Sequence, residues 1–381
     1  MSDTLLRVED LDIEVSGTRI VTGVSFEVAR GEVVALVGES GAGKSMTAMA
    51  IPHLLPPGGE RHGSIDFDGH ELVGVSESGM QRFRGAEIAC VYQEPMTALN
   101  PLHTVGDFLA EAIRSHAGSA GRTAQRRPQE LLELVGLGSH PDLLRRYPHQ
   151  LSGGQRQRIM AAGAVAWKPK LLIADEPTTA LDVTTQRRLL AMLRDLVKSE
   201  GMSMIFVTHD MGVVADIADS VVVMRNGGVV ETGDVFSIFA DPKDEYTRSL
   251  LSAARALHGS EEIGSDADAD ADADADVAPG AGLADSAPAL EVRDLTVEYR
   301  RTGLRRRRST SERRAAVSGA SLEVAQGETL GIVGESGSGK STIARSILGL
   351  TPVTGGSVTI GGVDMVGLRG RGRRKALSKL G

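Results

Sequence analysis

The sequence predicts an α/β fold with a largely parallel central sheet. Three observations predict it. Short, wholly apolar runs recur along the chain, and each closes on a polar residue. Helical patterns separate the runs. The first run leads into a Gly-rich turn that opens a helix. Strands covered on both faces read as unbroken apolar runs, and their alternation with helices gives parallel pairing. With 41% hydrophobic residues in 381, the chain can bury a core, and its length calls for two or more domains.

The elements follow in order. Run 33–37 is the first buried strand, and it feeds the turn Gly38-Glu39-Ser40-Gly41-Ala42-Gly43-Lys44-Ser45. The helix after that turn ends near Ile51, because Pro52 cannot continue it. Run 88–92 is a second strand and delivers Gln93. A helical apolar period covers 129–135. Ser152-x-x-Gln155 is a capping box for a helix over 155–166. Run 171–174 delivers Asp175-Glu176, and run 204–208 delivers His209. Ligands of such sheets bind beyond the carboxyl ends of the strands, where all four runs place a polar residue.

Composition removes several classes of function. The one cysteine, Cys90, excludes an intramolecular disulfide, a cysteine-ligated zinc site and an iron–sulfur cluster. Aromatics at 3% argue against an aromatic-rich binding surface. No apolar run approaches the roughly 18 residues that span a bilayer. The N-terminus has no basic region followed by an apolar core, so a cytosolic chain with at most a peripheral membrane role is expected. The net charge of −8 is concentrated in residues 259–289, which carry Glu261, Glu262, six Asp between 266 and 276, and Asp285, with no Lys or Arg. The remainder is close to neutral, so global acidity says nothing about partners. This Asp/Ala-rich stretch lacks a helical period and reads as a disordered linker spanning roughly 30 Å as a coil.

A repeat flanks the linker. Val24-Ser25-Phe26-Glu27-Val28 is echoed by Ala320-Ser321-Leu322-Glu323-Val324, and GESGAGKS at 38–45 by GESGSGKS at 334–341, at a constant offset of 296. Asp10-Leu11 matches Asp294-Leu295 at an offset of 284, and the Arg-rich stretch 300–314 accounts for the difference. Its eight arginines read as a solvated loop between strands, with anionic lipid headgroups as a second reading. The repeat is a domain duplication: 1–258 is a full first copy, and 290–381 reads as a truncated second copy holding the Gly-rich part only.

The motifs carry phosphate chemistry. In Gly38-x4-Gly43-Lys44-Ser45, glycines let backbone N–H groups face phosphate oxygens, Lys44 reaches the β/γ-phosphates and the Ser45 hydroxyl ligates Mg²⁺. A strand ending in Asp-Glu is, by itself, commonly a solvated cap. Beside a phosphate loop, Asp175 would hold Mg²⁺ and Glu176 would orient the attacking water. Ser152-Gly153-Gly154-Gln155 exposes a helix N-terminus suited to phosphate.

Taken together, GESGAGKS, Gln93, LSGGQ, LLIADEP, Ala180-Leu181-Asp182 and Thr208-His209-Asp210 resemble the ATP-binding cassette of ABC transporters across residues 5–250. LSGGQ separates that family from other phosphate-loop proteins. The stretch YQEPMTALNP at 92–101, Tyr147-Pro148-His149, ADEPTTALDVTTQ at 174–186 and Glu245-Tyr246-Thr247-Arg248-Ser249-Leu250-Leu251 are similar to the dipeptide/oligopeptide importer branch. The resemblance implies a P-loop NTPase fold: a mostly parallel sheet, an antiparallel β-subdomain, and a helical subdomain near 95–150 that docks on transmembrane permease subunits. It implies ATP and Mg²⁺, with the nucleotide bound by Gly38 through Met46 and capped by Ser152, Gly153, Gly154 and Gln155 of an opposing cassette. Gln93 joins Ser45 and Asp175 at the metal and, with Glu176 and His209, forms the catalytic group. Asp182 lies at the dimer interface. In copy two the matching set is Gly334, Gly337, Gly339, Lys340, Ser341 and Thr342, with Tyr299 placed to stack on adenine. Copy one departs from the family here, with Val15 in place of an aromatic.

The expected function is that of an ATP-hydrolysing subunit of a peptide importer. It sits at the cytoplasmic face of the membrane, pairs with a second cassette as homodimer or heterodimer, and is served indirectly by a substrate-binding protein. Two alternatives stand: an ATP-binding fragment without productive hydrolysis, and a soluble twin-cassette ATPase acting on ribosomes or DNA. Nucleic acid is not an expected partner: such proteins need basic or coiled-coil inserts or zinc-binding cysteines, whereas here the linker is acidic and zinc-binding cysteines are lacking.

Overall fold

The computed structural model describes residues 4–92, 98–116, 127–179, 181–258, 288–299, 314–334, 337–366 and 368. Gln93, Ala180, the acidic segment 259–287 and the insert 300–313 lie outside the described residues, as does the side chain of Tyr299. The chain divides into two compact units, Met1–Asp266 and Ala267–Gly381.

The first unit opens with strands β1 (Thr4–Val15), β2 (Thr18–Ala29) and β3 (Val33–Val37), helix α1 (Lys44–Ala50), strands β4 (Gly59–Phe67) and β5 (His70–Glu71), helix α2 (Glu77–Met80) and strand β6 (Ile88–Val91). Helices α3 (Val105–Arg114), α4 (Pro128–Leu134) and α5 (Gly153–Ala164) follow, then strand β7 (Leu171–Asp175). The unit closes with α6 (Val183–Glu200), β8 (Ser203–Thr208), α7 (Met211–Ile217), β9 (Ser220–Arg225), β10 (Gly228–Asp234), α8 (Val235–Ala240) and α9 (Glu245–His258).

Two sheets result. One is antiparallel, in the order β2-β1-β4-β5. The other has six strands in the order β10-β9-β3-β8-β7-β6. Strands β9, β3, β8, β7 and β6 are mutually parallel, and β10 is an antiparallel edge. Burial on both faces explains the unbroken apolar runs. Along β7, Leu172 and Ala174 join one apolar cluster with α3 to α6. Leu171 and Ile173 join another, shared with β1, β2 and β4. A third cluster seats Ala35 and Val37 against α7, α8 and α9.

Helix α1 stops at Ala50, with Ile51 as its cap and Pro52 immediately beyond. The released carbonyls are met by two arginines. The buried Arg61 guanidinium donates to the carbonyls of Ala50, Ile51 and Leu72, and Arg84 donates to those of Pro52 and His53. Burial holds the Arg61 pKa down at about 10. The helix expected over 155–166 starts at Gly153 and ends at Ala164, and Val165–Trp167 tightens into a 3₁₀ turn. Trp167 packs, its Nε1 donating to the Ala112 carbonyl at 2.9 Å. Among the described residues, no helix is long and apolar enough to cross a membrane.

The second unit contains β11 (Leu290–Tyr299), β12 (Arg314–Val324), α10 (Lys340–Ile347), β13 (Gly355–Ile360) and β14 (Val363–Asp364). Its sheet order, β12-β11-β13-β14, parallels β2-β1-β4-β5. The likeness extends to single bonds. Asp10 and Asp294 both take positive φ, at 47° and 48°. The N–H of Asp10 donates to Ser25 Oγ, and that of Asp294 to Ser321 Oγ, each at 2.9 Å. An apolar core closes around Val292, Leu295, Val297, Val358 and Ile360, because the three longer strands pack on α10 without needing a parallel sheet. The segment matching β3 is not a strand here, and Leu330, Ile332 and Val333 are exposed.

Candidate functional site

The strand register brings the predicted residues together. Val37 aligns with Thr208 on one side and Val223 on the other, and Asp175 aligns with Val207. The turn after β3, the Asp175-Glu176 pair and His209 therefore emerge side by side at the carboxyl edge of the sheet.

The turn itself is shaped by its glycines. Gly38 has φ 146°, and a Cβ there would lie 2.2 Å from the Met224 carbonyl oxygen. Gly43, at φ 95°, holds the left-handed position that caps α1. The Lys44 ammonium folds back and donates to the carbonyls of Gly38 and Glu39, each at 2.8 Å. Burial lowers its pKa, while the carboxylates of Glu176 and Asp175 act in the opposite direction. Ser45 Oγ donates to Asp175 Oδ1 at 2.8 Å. Burial raises the Asp175 pKa; the Ser45 bond opposes this, Glu176 adds to it and Lys44 opposes it.

Glu176 follows the strand in a left-handed conformation, φ 42°, with its N–H on the Val207 carbonyl at 3.0 Å. A non-glycine residue in this region stores backbone strain, which concentrates at functional positions. Its carboxylate accepts from Thr179 Oγ1 at 3.1 Å and lies 3.2 Å from His209 Nδ1. His209 sits between the end of β8 and α7, whose cap is the Asp210 carboxylate.

The Ser152–Gln155 segment forms the expected capping box. Ser152 Oγ accepts from Gln155 N–H, and the Gln155 side chain accepts from Ser152 N–H. The segment abuts the first turn of α6: a Cβ on Gly154 would lie 2.3 Å from Thr185 Cγ2. Thr185 is bonded in turn to the Asp182 carboxylate through both its N–H and its hydroxyl. Val15 is half-buried against the second apolar cluster. In the second unit, Gly334 and Gly339 take φ 151° and 102°, and the Lys340 ammonium donates to the Gly334 carbonyl, as in the first. Gly337 lies in the same turn, and Ser341 and Thr342 follow Lys340 in the first turn of α10. No Asp-Glu pair occurs in the sequence between 288 and 381.

A family described as ABC transporter matches residues 21–179 and 317–380. The oligopeptide transport ATP-binding protein OppD of Mycobacterium tuberculosis is 39% identical over 437 residues, covering 98% of this chain and 71% of that one. The chain belongs to the ABC transporter family. Other similar proteins are the peptidoglycan transport ATP-binding protein YejF of Agrobacterium fabrum, 44% identical over 90% of this chain, and the glutathione import ATP-binding protein GsiA of Escherichia coli, 42% identical over 94%. The chain spans 60% of the length of each of these two relatives. Among solved structures, cbiO1 from Clostridium perfringens, part of the ABC transporter complex cbiONQ, superposes with a TM-score of 0.55. It is 29% identical and covers 69% of this chain and 100% of that one.

Sequence reasoning missed part of this ABC transporter chain's site. The turn between β9 and β10 backs the Gly-rich loop, and Gly227 N–H donates to the Ala42 carbonyl at 3.2 Å. Tyr246 of α9 accepts from Glu39 N–H at 2.9 Å. Asn226-Gly227 is a recognisable hairpin dipeptide. Its contact with a loop nearly 200 positions earlier has no local signal.

Proposed function

We propose that this chain is an ATP-binding and ATP-hydrolysing subunit of an ABC importer for peptides or peptide-like solutes. The observation that carries the reading is the convergence of Lys44, Ser45, Asp175, Glu176 and His209 at one edge of the parallel sheet. A basic side chain and exposed loop amides suit a polyphosphate. Ser45 Oγ and Asp175 Oδ1 are hard oxygen donors already in contact, the type Mg²⁺ prefers. When bound there, Mg²⁺ would neutralise charge on the phosphate oxygens.

The chain's own groups then divide the work. Lys44, held on the loop carbonyls, is positioned to meet the β/γ-phosphates. Glu176 orients and polarises the attacking water, and His209, already against the Glu176 carboxylate, holds the γ-phosphate. Gln93 is assigned to the metal and water. Ser152 and Gly154 cap the γ-phosphate of an ATP held by a second cassette, so two chains pair head to tail, with Asp182 at the interface. Closure and reopening of that pair would move permease subunits at the cytoplasmic face of the membrane, fed by a substrate-binding protein. The names of the relatives support a peptide or glutathione cargo. Residues 290–381 are read as a partial second cassette, supported by the shared strand order and the paired Asp–Ser bonds.

The test is hydrolysis by the full chain, alone and with co-expressed permease subunits. Glu176→Gln is expected to keep ATP binding and lower turnover by about 10²-fold or more, since only water activation is lost. Turnover at the wild-type rate in that variant would overturn the assignment.

A further inference from the structure

Helix α9 adds nothing to the chemistry above, yet its second residue reaches the phosphate loop. Tyr246 is 7% exposed, within the cluster that also seats Ala35, Val37 and Ile238. The Arg225 guanidinium lies over its ring, 4.8 Å from the centroid. The phenolic oxygen accepts a hydrogen bond from Glu39 N–H at 2.9 Å.

That N–H belongs to the peptide unit joining Gly38 to Glu39. The carbonyl of the same planar unit is that of Gly38, which accepts from Lys44 Nζ at 2.8 Å. A peptide unit is rigid, so fixing its N–H fixes the direction of its C=O. Gly38 itself is constrained only weakly by its own dihedrals, because glycine tolerates many conformations. The phenol therefore supplies an orientation that the loop sequence does not. A second clasp, Gly227 N–H on the Ala42 carbonyl, holds the far side of the loop.

We propose that Tyr246 is a positioning residue for nucleotide binding: by holding the Gly38–Glu39 peptide, it sets the carbonyl on which the Lys44 ammonium rests before phosphate arrives. Helix α9 thereby becomes a strut of the phosphate loop. The inference rests on the reading of this site as an ATP site.

The test uses the full chain and titration with a fluorescent ATP analogue. Tyr246→Phe keeps the ring and its packing and deletes only the hydroxyl. It should weaken nucleotide affinity about three- to ten-fold, the range expected for one partly buried hydrogen bond. Amide exchange at residues 38–39 of the nucleotide-free protein should quicken. Ile238→Val, which loosens the same apolar cluster, should lower the melting temperature and leave affinity unchanged. Wild-type affinity in Tyr246→Phe, or an equal loss in Ile238→Val, would overturn the proposal. Lys44→Ala separates the two levels. If it bound nucleotide as well as wild type does, the ATP reading of the site would fail and this inference with it. If it lost binding while Tyr246→Phe bound normally, only the role of Tyr246 would fall.

Discussion

At the scale of single residues, the site holds charge at a cost to the nucleotide-free protein. Asp175 is the clearest instance. Its carboxyl, raised chiefly by burial, keeps its proton to higher pH in the folded chain than in the unfolded one. The folded state then binds more protons between the usual carboxylate range and the raised value, and stability falls as pH rises through that window. Asp175→Asn removes this titration while keeping an acceptor for Ser45. In the absence of nucleotide, it should melt higher than wild type at neutral pH, by about 2 °C. The difference should close as pH falls towards the ordinary carboxylate range. Thermal scans across that range check it, and a variant less stable than wild type at neutral pH would contradict it. Glu176 shows the same tension in the backbone, occupying a left-handed conformation between a buried strand and a hydroxyl-bonded turn.

At the scale of elements, the contact between α5 and α6 is a tight fit within the Leu151–Gln155 segment. Gly154 leaves no room for a methyl because Thr185 Cγ2 occupies that space. Gly154→Ala should cost about 1–3 kcal/mol by overpacking. Thr185→Ser deletes that methyl while keeping the hydroxyl bonded to Asp182, so the double variant should recover most of the loss in a denaturant titration. An additive double variant would show that the two residues do not meet. The same elements explain what sequence could disclose. Runs 33–37, 171–174 and 204–208 were legible because a parallel strand covered on both faces is apolar along its length, and its end is marked by the first polar side chain. The capping box at Ser152 was legible because its signal spans four residues. The Tyr246 clasp and the Thr185 contact were not, because each joins elements separated in sequence and leaves no periodicity behind.

At the scale of the whole molecule, the first unit holds a phosphate loop, an Asp-Glu pair and a signature, whereas residues 288–381 hold only a loop with Lys340. If ATP is capped by a facing signature and the facing cassette is a second copy of the first unit, hydrolysis needs two chains. Specific ATPase activity should therefore rise with protein concentration and survive Lys340→Ala. A concentration-independent rate from a demonstrated monomer, lost in that variant, would sink the pairing scheme. Connectivity within the first unit has a consequence for how the chain is made. Strand β3 lies between β8 and β9, which the ribosome delivers roughly 10–40 s later at 5–20 residues per second. Val34 and Leu36 find part of their cover early, among β1, β2, β4 and α1, all within the first 67 residues, while β7, β8 and β9 add to the same cluster later. Ala35 and Val37 wait for residues beyond 210. The nascent cassette thus emerges with its antiparallel half partly covered and the opposite apolar face bare. The loop that will hold phosphate is among the first segments synthesised and among the last to acquire its shape.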